Sequence, residues 1–156
     1  MTTIRGVRRL ALTLVVLIVG AGVGSATASA TGLDDHLWEH RPLLMFAPGE
    51  TDPRLVETLR RIESSRCDFV SRDMVAGVVV REGDSTLDGQ LLSAEESQQL
   101  AQRYAVEDTA FAVILIGKDG GEKLRVDEIP DLQTFYDLID GMPMRSREMS
   151  ADPGRC

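Results

Sequence analysis

The sequence predicts an α/β domain of three layers, with helices on both sides of a mixed central sheet, in the order β-α-β-α-β-β-α. Three observations predict it. The apolar runs Leu43 to Ala47, Met74 to Val80 and Phe111 to Ile116 are nearly unbroken rather than alternating, as in strands covered on both faces. Between the first two runs lies a segment with apolar residues at helical spacing. It is long enough for a crossover, which makes those strands parallel and the connection right-handed. After the third run, Asp119-Gly120 ahead of Lys123-Leu124-Arg125-Val126 marks a tight hairpin with a primed turn. The last strand is therefore antiparallel and the sheet is mixed.

Each element has its own grounds. The first strand ends at Pro48-Gly49, and Asp52-Pro53 reads as helix N-cap and first helical residue. Asp accepts from the free N–H groups of the first turn, where Pro needs no donor. Leu55, Leu59, Ile62, Arg66 and Phe69 keep helical spacing to about Val70, as one long helix or two joined pieces. Met74 to Val80 is rich in β-branched residues. Residues 81–92 read as a polar loop. Ser93 and Glu96 match a capping box, and the helix behind it is weakly apolar, with Leu100, Ala101 and Tyr104 on its covered side. Pro130-Asp131 opens the last helix, whose Leu132, Phe135, Leu138 and Ile139 share a face. Gly141 is expected to stop it in the left-handed region. The expected core is Phe46, Val79, Ile114, Leu115, Phe135 and Ile139. This order is that of the thioredoxin core; a ferredoxin-like βαβ-plus-hairpin variant is its main rival.

Residues 1–30 have the order of a secretory signal peptide. Arg5, Arg8 and Arg9 precede an apolar stretch from Leu10 to about Val23, and Ala28-Ser29-Ala30 offers a small-residue cleavage site. A retained anchor is the alternative, but the second half of the stretch is Gly, Ser, Thr and Ala, weak for a span. Cleavage leaves 126 residues, one domain's worth: a polar lead-in over 31–40, a domain over 41–149 and a flexible tail over 150–156. The expected destination is the periplasm or the outside of the cell. Without the leader, 14 basic residues face 25 acidic ones, a net charge of −11. That balance speaks against nucleic acid, whose phosphates need clustered Lys and Arg, and against anionic membrane surfaces.

Four segments carry a resemblance: RPLLMFAP, the Arg72-Asp73 pair before the second strand, LIGKDGGEKLR, and MPMRSREM near the end. Together they resemble the bacterial family catalogued as domain of unknown function 4174, over about Leu37 to Met149. The resemblance implies a fold like that of thioredoxins and peroxiredoxins. Related domains in secreted animal matrix proteins imply extracellular interaction. It implies no catalytic residue.

An active thioredoxin or peroxiredoxin places its cysteine in the first turn of the first helix, where the helix dipole and free N–H groups lower the thiol pKa. Here that turn reads Glu50-Thr51-Asp52-Pro53-Arg54-Leu55, without sulfur. Asp108-Thr109-Ala110 stands where thioredoxins keep a cis-proline. Cys67 and Cys156 are the only cysteines and form a candidate disulfide, whose closure sequence alone does not establish. Asp84 to Glu95 resembles a calcium loop in spacing, but no helix enters it, and a polar loop leading to a capped helix is the favoured reading. His36 and His40 lack a third ligand, so no metal is expected. No Gly-x-Ser-x-Gly elbow occurs.

Lys118, Arg125, Arg145 and Arg147 remain as candidate ligand-binding residues. Arg145 and Arg147 in particular could receive an acidic small ligand or a protein partner. The reading is therefore an exported, redox-inactive thioredoxin-like domain that binds a ligand or protein, with no cofactor and with the balance against an enzyme. The alternative is an atypical thiol redox or peroxide-handling enzyme using Cys67.

Overall fold

The computed structural model describes residues 32–151. The expected signal peptide and Cys156 lie outside the described residues. A short 3-10 helix, Gly32–His36, comes first and buries Leu33 against the sheet. Folded structure therefore begins inside the expected polar lead-in, although Trp38 stays 66% exposed.

Strand β1 (Arg41–Gly49) leads through helices α1 (Pro53–Ser64) and α2 (Arg66–Ser71) to β2 (Met74–Glu82), which pairs with β1 in parallel. The helical stretch divides at Ser65, whose Oγ hydrogen-bonds to Arg61 O at 3.0 Å and to the Tyr136 hydroxyl at 2.7 Å. A serine hydroxyl there competes with the continuing helix for backbone partners. The sequence-based choice between one helix and two is thus settled as two. The predicted Asp52 cap is present, its carboxylate accepting from Arg54 N at 2.9 Å.

Residues 81–92 are not the loop predicted from their polarity. β2 runs on to Glu82, and β3 (Thr86–Leu87) and β4 (Gln90–Leu91) form a small hairpin. Asp88 and Gly89, at φ 49° and 76°, make its turn. Two consecutive positive φ angles give the primed turn that matches strand twist, and Asp-Gly is a favoured pair for it. The carboxylates read as calcium-loop positions are thus spread over a hairpin. Helix α3 (Ala94–Arg103) follows with the capping box formed in both directions between Ser93 and Glu96.

β5 (Ala112–Ile116) pairs antiparallel with β1, and β6 (Glu122–Val126) pairs antiparallel with β5. The predicted hairpin is there, but only Gly120 takes a positive φ, 78°, in a loop closed by Gly120 N donating to Gly117 O at 2.9 Å. Helix α4 (Leu132–Asp140) begins where Pro130-Asp131 placed it, and Asp131 is its cap. Gly141 does not stop it in the left-handed region: its φ is −78°, and a further helix, α5 (Pro143–Ala151), begins two residues later. The stretch expected as the start of a flexible tail is helical to Ala151.

The sheet order is β4-β3-β2-β1-β5-β6. Side-chain alternation divides the core in two. Leu43, Met45, Val113 and Leu115 pack with Leu55, Ile62, Phe69, Phe135 and Ile139 from α1, α2 and α4. Leu44, Phe46, Val79, Ile114 and Ile116 pack on the other face with Leu33, Leu100 and Tyr104. All six residues expected in the core are buried. Gly77 is required by close approach, since a Cβ there would stand 2.6 Å from Leu44 Cδ2. Among the described residues no helix is long and apolar enough to cross a membrane.

Candidate functional site

In open α/β sheets, ligands bind outside the carboxyl ends of parallel strands. Here that end carries a groove of about 970 Å³. Phe46 and Val79 from β1 and β2 form its floor, and Ser97, Gln98 and Ala101 of α3 form one wall. Its size falls in the range of small-molecule sites. Glu82, Asp84, Glu107 and Asp108 stand on its lining against the single cation Arg81, which is paired with Asp108. The edge is acidic.

Beside this end lies the first turn of α1. Asp52 both caps the turn and pairs with Arg54, Nη2 to Oδ2 at 2.6 Å. The side-chain hydrogen bond from Arg54 is the main reason the Asp52 carboxyl sits below its ordinary range, against the opposing effect of burial. The Arg54 guanidinium also lies 4.8 Å from the Phe111 ring centroid. Thr58, one turn on, is fully buried and donates to Arg54 O at 2.7 Å. The place where a thiolate would be stabilised is filled by a capping carboxylate. Among the described residues no peptide bond is cis.

At the opposite end of the sheet, the amino ends of β1 and β2 meet the carboxyl end of β5, because β5 runs antiparallel. This brings together charges far apart in sequence. Arg41, 1% exposed, holds the Glu148 carboxylate with both terminal nitrogens, each at 3.0 Å. Lys118 Nζ reaches Glu148 Oε1 at 2.8 Å and Asp73 Oδ2 at 2.7 Å. Arg145 Nη1 donates to Ser71 O at 2.7 Å and stands 3.7 Å from Glu148 Oε2, while its Nε bonds Asp140. Arg72 Nη2 pairs with Asp140 at 2.6 Å, its guanidinium 4.7 Å from the Tyr136 ring centroid. Burial pushes the Glu148 carboxyl up, but hydrogen bonds from Arg41 and Lys118 outweigh it and hold it below the ordinary range.

Of the four basic residues singled out from the sequence, Lys118 and Arg145 are buried and converge on Glu148. Arg125 is not with them. It lies on β6, donating to Tyr104 O at 2.8 Å and pairing with Glu122. Arg147 is exposed on α5. The surface patch imagined for Arg145 and Arg147 is divided because neighbours on a helix point about 100° apart, so one faces in and the other out. Sequence reasoning missed Arg41, Asp73 and Asp140 as members of the cluster. The signal for the first two was a charge at the start of each buried parallel strand, Arg41 opening β1 and Asp73 directly ahead of β2, while Asp140, the last residue of α4, had none. His36 and His40 contact each other, Nδ1 to Nδ1 at 3.3 Å, and no group of three potential metal ligands occurs among the described residues. Cys67 is exposed on α2 and is not a free thiol.

The model of the family described as domain of unknown function DUF4174 matches residues 32–148. The chain belongs to that family. The match takes in both ends of the sheet, from the 3-10 helix ahead of Arg41 through Glu148. Among curated proteins no sequence matches. Among solved structures, a Plasmodium yoelii thioredoxin peroxidase I is 16% identical, with 80% of this chain and 82% of that one covered at a TM-score of 0.51. A Plasmodium yoelii Prx1a modified at its N-terminus is also 16% identical, covering 80% of this chain and 83% of that one, at a TM-score of 0.47. The first likeness shows that this DUF4174 member has a thioredoxin-like fold.

Proposed function

We propose that the protein is an exported, redox-inactive thioredoxin-like domain that binds a ligand or a protein segment in the groove at the carboxyl ends of β1 and β2. The observation that carries this reading is the first turn of α1, where Asp52 and Arg54 form an ion pair at 2.6 Å in place of a thiol. A binding role keeps the ligand end of the fold and gives up the redox chemistry. The basic-apolar-small order of residues 1–30 supports export. The acidic groove edge suits neutral or basic ligand groups, so an acidic ligand has to be received elsewhere on the molecule.

The alternative, a thiol redox or peroxide-handling enzyme using Cys67, has less support. Cys67 lies beyond the whole 12-residue length of α1, on the order of 18 Å of helix from its first turn. Its sulfur is not a free thiol.

The groove reading is tested by screening a library of small polar fragments against labelled protein by nuclear magnetic resonance. Chemical-shift changes should cluster on Val79 to Ser85 and Ser97 to Val106. Fragment hits gathered on another face, with this groove silent, would remove the reading.

A further inference from the structure

We propose that Arg41 and Lys118 form a carboxylate-binding site that Glu148 occupies in cis, and that the carboxylate of an acidic ligand displaces Glu148 and frees α5 together with Arg145. This goes beyond the groove reading and stands or falls separately, since it concerns the other end of the sheet.

Three observations carry it. The first is how α5 is held. Arg145 is the only buried residue of the helix, and Glu148 is its other inward contact. With so little apolar surface covered, the attachment of α5 rests largely on ionic groups rather than on the hydrophobic term. The second is the charge balance. Within this cluster, the side chains less than a fifth exposed are four cations (Arg41, Arg72, Lys118, Arg145) and two acids, Asp73 and Glu148. Asp140, the acid shared by Arg72 and Arg145, is one-third exposed. Withdrawing Glu148 would leave Arg41 and Lys118 with Asp73 alone, so the site demands an anion rather than standing empty. The third is a spare donor: Arg41 Nε is buried and has no hydrogen-bond partner among the described residues.

The geometry defines the ligand class. Arg41 grips the two oxygens of Glu148 side by side, each at 3.0 Å, and Lys118 adds a third donor at 2.8 Å. A guanidinium fork takes two oxygens side by side, and the group it holds here is the planar carboxylate of Glu148, so a carboxylate is the ligand group that reproduces the fit. A ligand carboxylate restores the contacts that Glu148 gives up, so exchange avoids the cost of leaving buried cations bare. The departing helix would leave a carboxylate-sized opening between the Arg72 carbonyl, which accepts from Arg41 at 2.9 Å, and the β5–β6 turn that carries Lys118.

The test uses the full chain with Glu148→Ala, which removes the internal carboxylate. Melting is followed in sodium acetate and in sodium chloride of equal ionic strength. Acetate should raise the midpoint of Glu148→Ala by several degrees over chloride, with a smaller rise for the wild type and for Arg147→Ala, where Glu148 competes. Acetate acting no more than chloride, or equally on all three proteins, would overturn the proposal. If Glu148→Ala does not fold, Glu148→Gln, which keeps the shape and one acceptor, is put through the same comparison. Two variants unfolded in every salt would make Glu148 a structural clasp and end the idea. Displacement is read from wild-type amide exchange: α5 should exchange several-fold faster in acetate than in chloride, and unchanged exchange overturns that half.

Discussion

Phe135→Ala is expected to destabilise the domain by about 3–5 kcal/mol, in the range for deleting a fully enclosed aromatic side chain. Phe135 is 1% exposed on the inner face of α4, in the same cluster as Leu43 and Met45 from β1 and Leu115 from β5. Those strands pair with each other along Leu43–Leu115 to Phe46–Ala112, so a void beside them has little freedom to collapse. Chemical denaturation should show the midpoint falling with an unchanged slope. Arg147→Ala, by contrast, should stay within about 0.5 kcal/mol, because its side chain leaves the exposed side of α5. Equal costs for the two would mean that the helix face has been assigned wrongly.

Arg41→Ala is expected to cost a similar amount, about 3–5 kcal/mol, for a different reason. It leaves Glu148 and Asp73 with fewer partners in a largely buried site, and an uncompensated buried charge is costly. Replacing the pair together, Arg41→Met with Glu148→Leu, should cost less than Arg41→Met alone, because it removes both desolvated charges. A double-mutant cycle measures the difference, and additive costs would show that Arg41 and Glu148 do not act as a unit. The pH dependence follows from the direction of the Glu148 shift. Its folded-state pKa is depressed, so its contribution is fully present above the unfolded value and is lost as pH falls through the folded one. The stability gap between wild type and Glu148→Gln should therefore narrow on acidification below the ordinary carboxylate range.

The fold was legible where local chemistry and global arrangement agree. Unbroken apolar runs located β1, β2 and β5, and Asp52, Ser93 and Asp131 capped the helices as their types suggest. Two local signals point away from the structure. Asp88-Gly89 sits in a stretch that reads as a polar loop from its composition, although the same dipeptide serves a primed hairpin turn. Gly141 was read as a stop, but its φ of −78° is open to any residue and the chain goes on into α5. That helix has no apolar stripe to announce it, because charge holds it down. The site was legible only in part: Lys118 and Arg145 could be singled out, while Arg41 and Glu148, 107 positions apart, meet only once the sheet has formed. Polarity alone does not distinguish a buried ionic cluster from solvated charge. The groove was not legible at all, since Phe46 and Val79 read simply as core.

We propose that this thioredoxin-like domain works without thiol chemistry. The most direct measurement is thiol-dependent peroxide consumption by the purified domain, run beside Cys67→Ser. The account predicts a background rate for both proteins, unchanged by reductant, because the first turn of α1 offers Asp52 and Arg54 where a thiolate would be needed. Turnover well above background in the wild type that disappears in Cys67→Ser would contradict it.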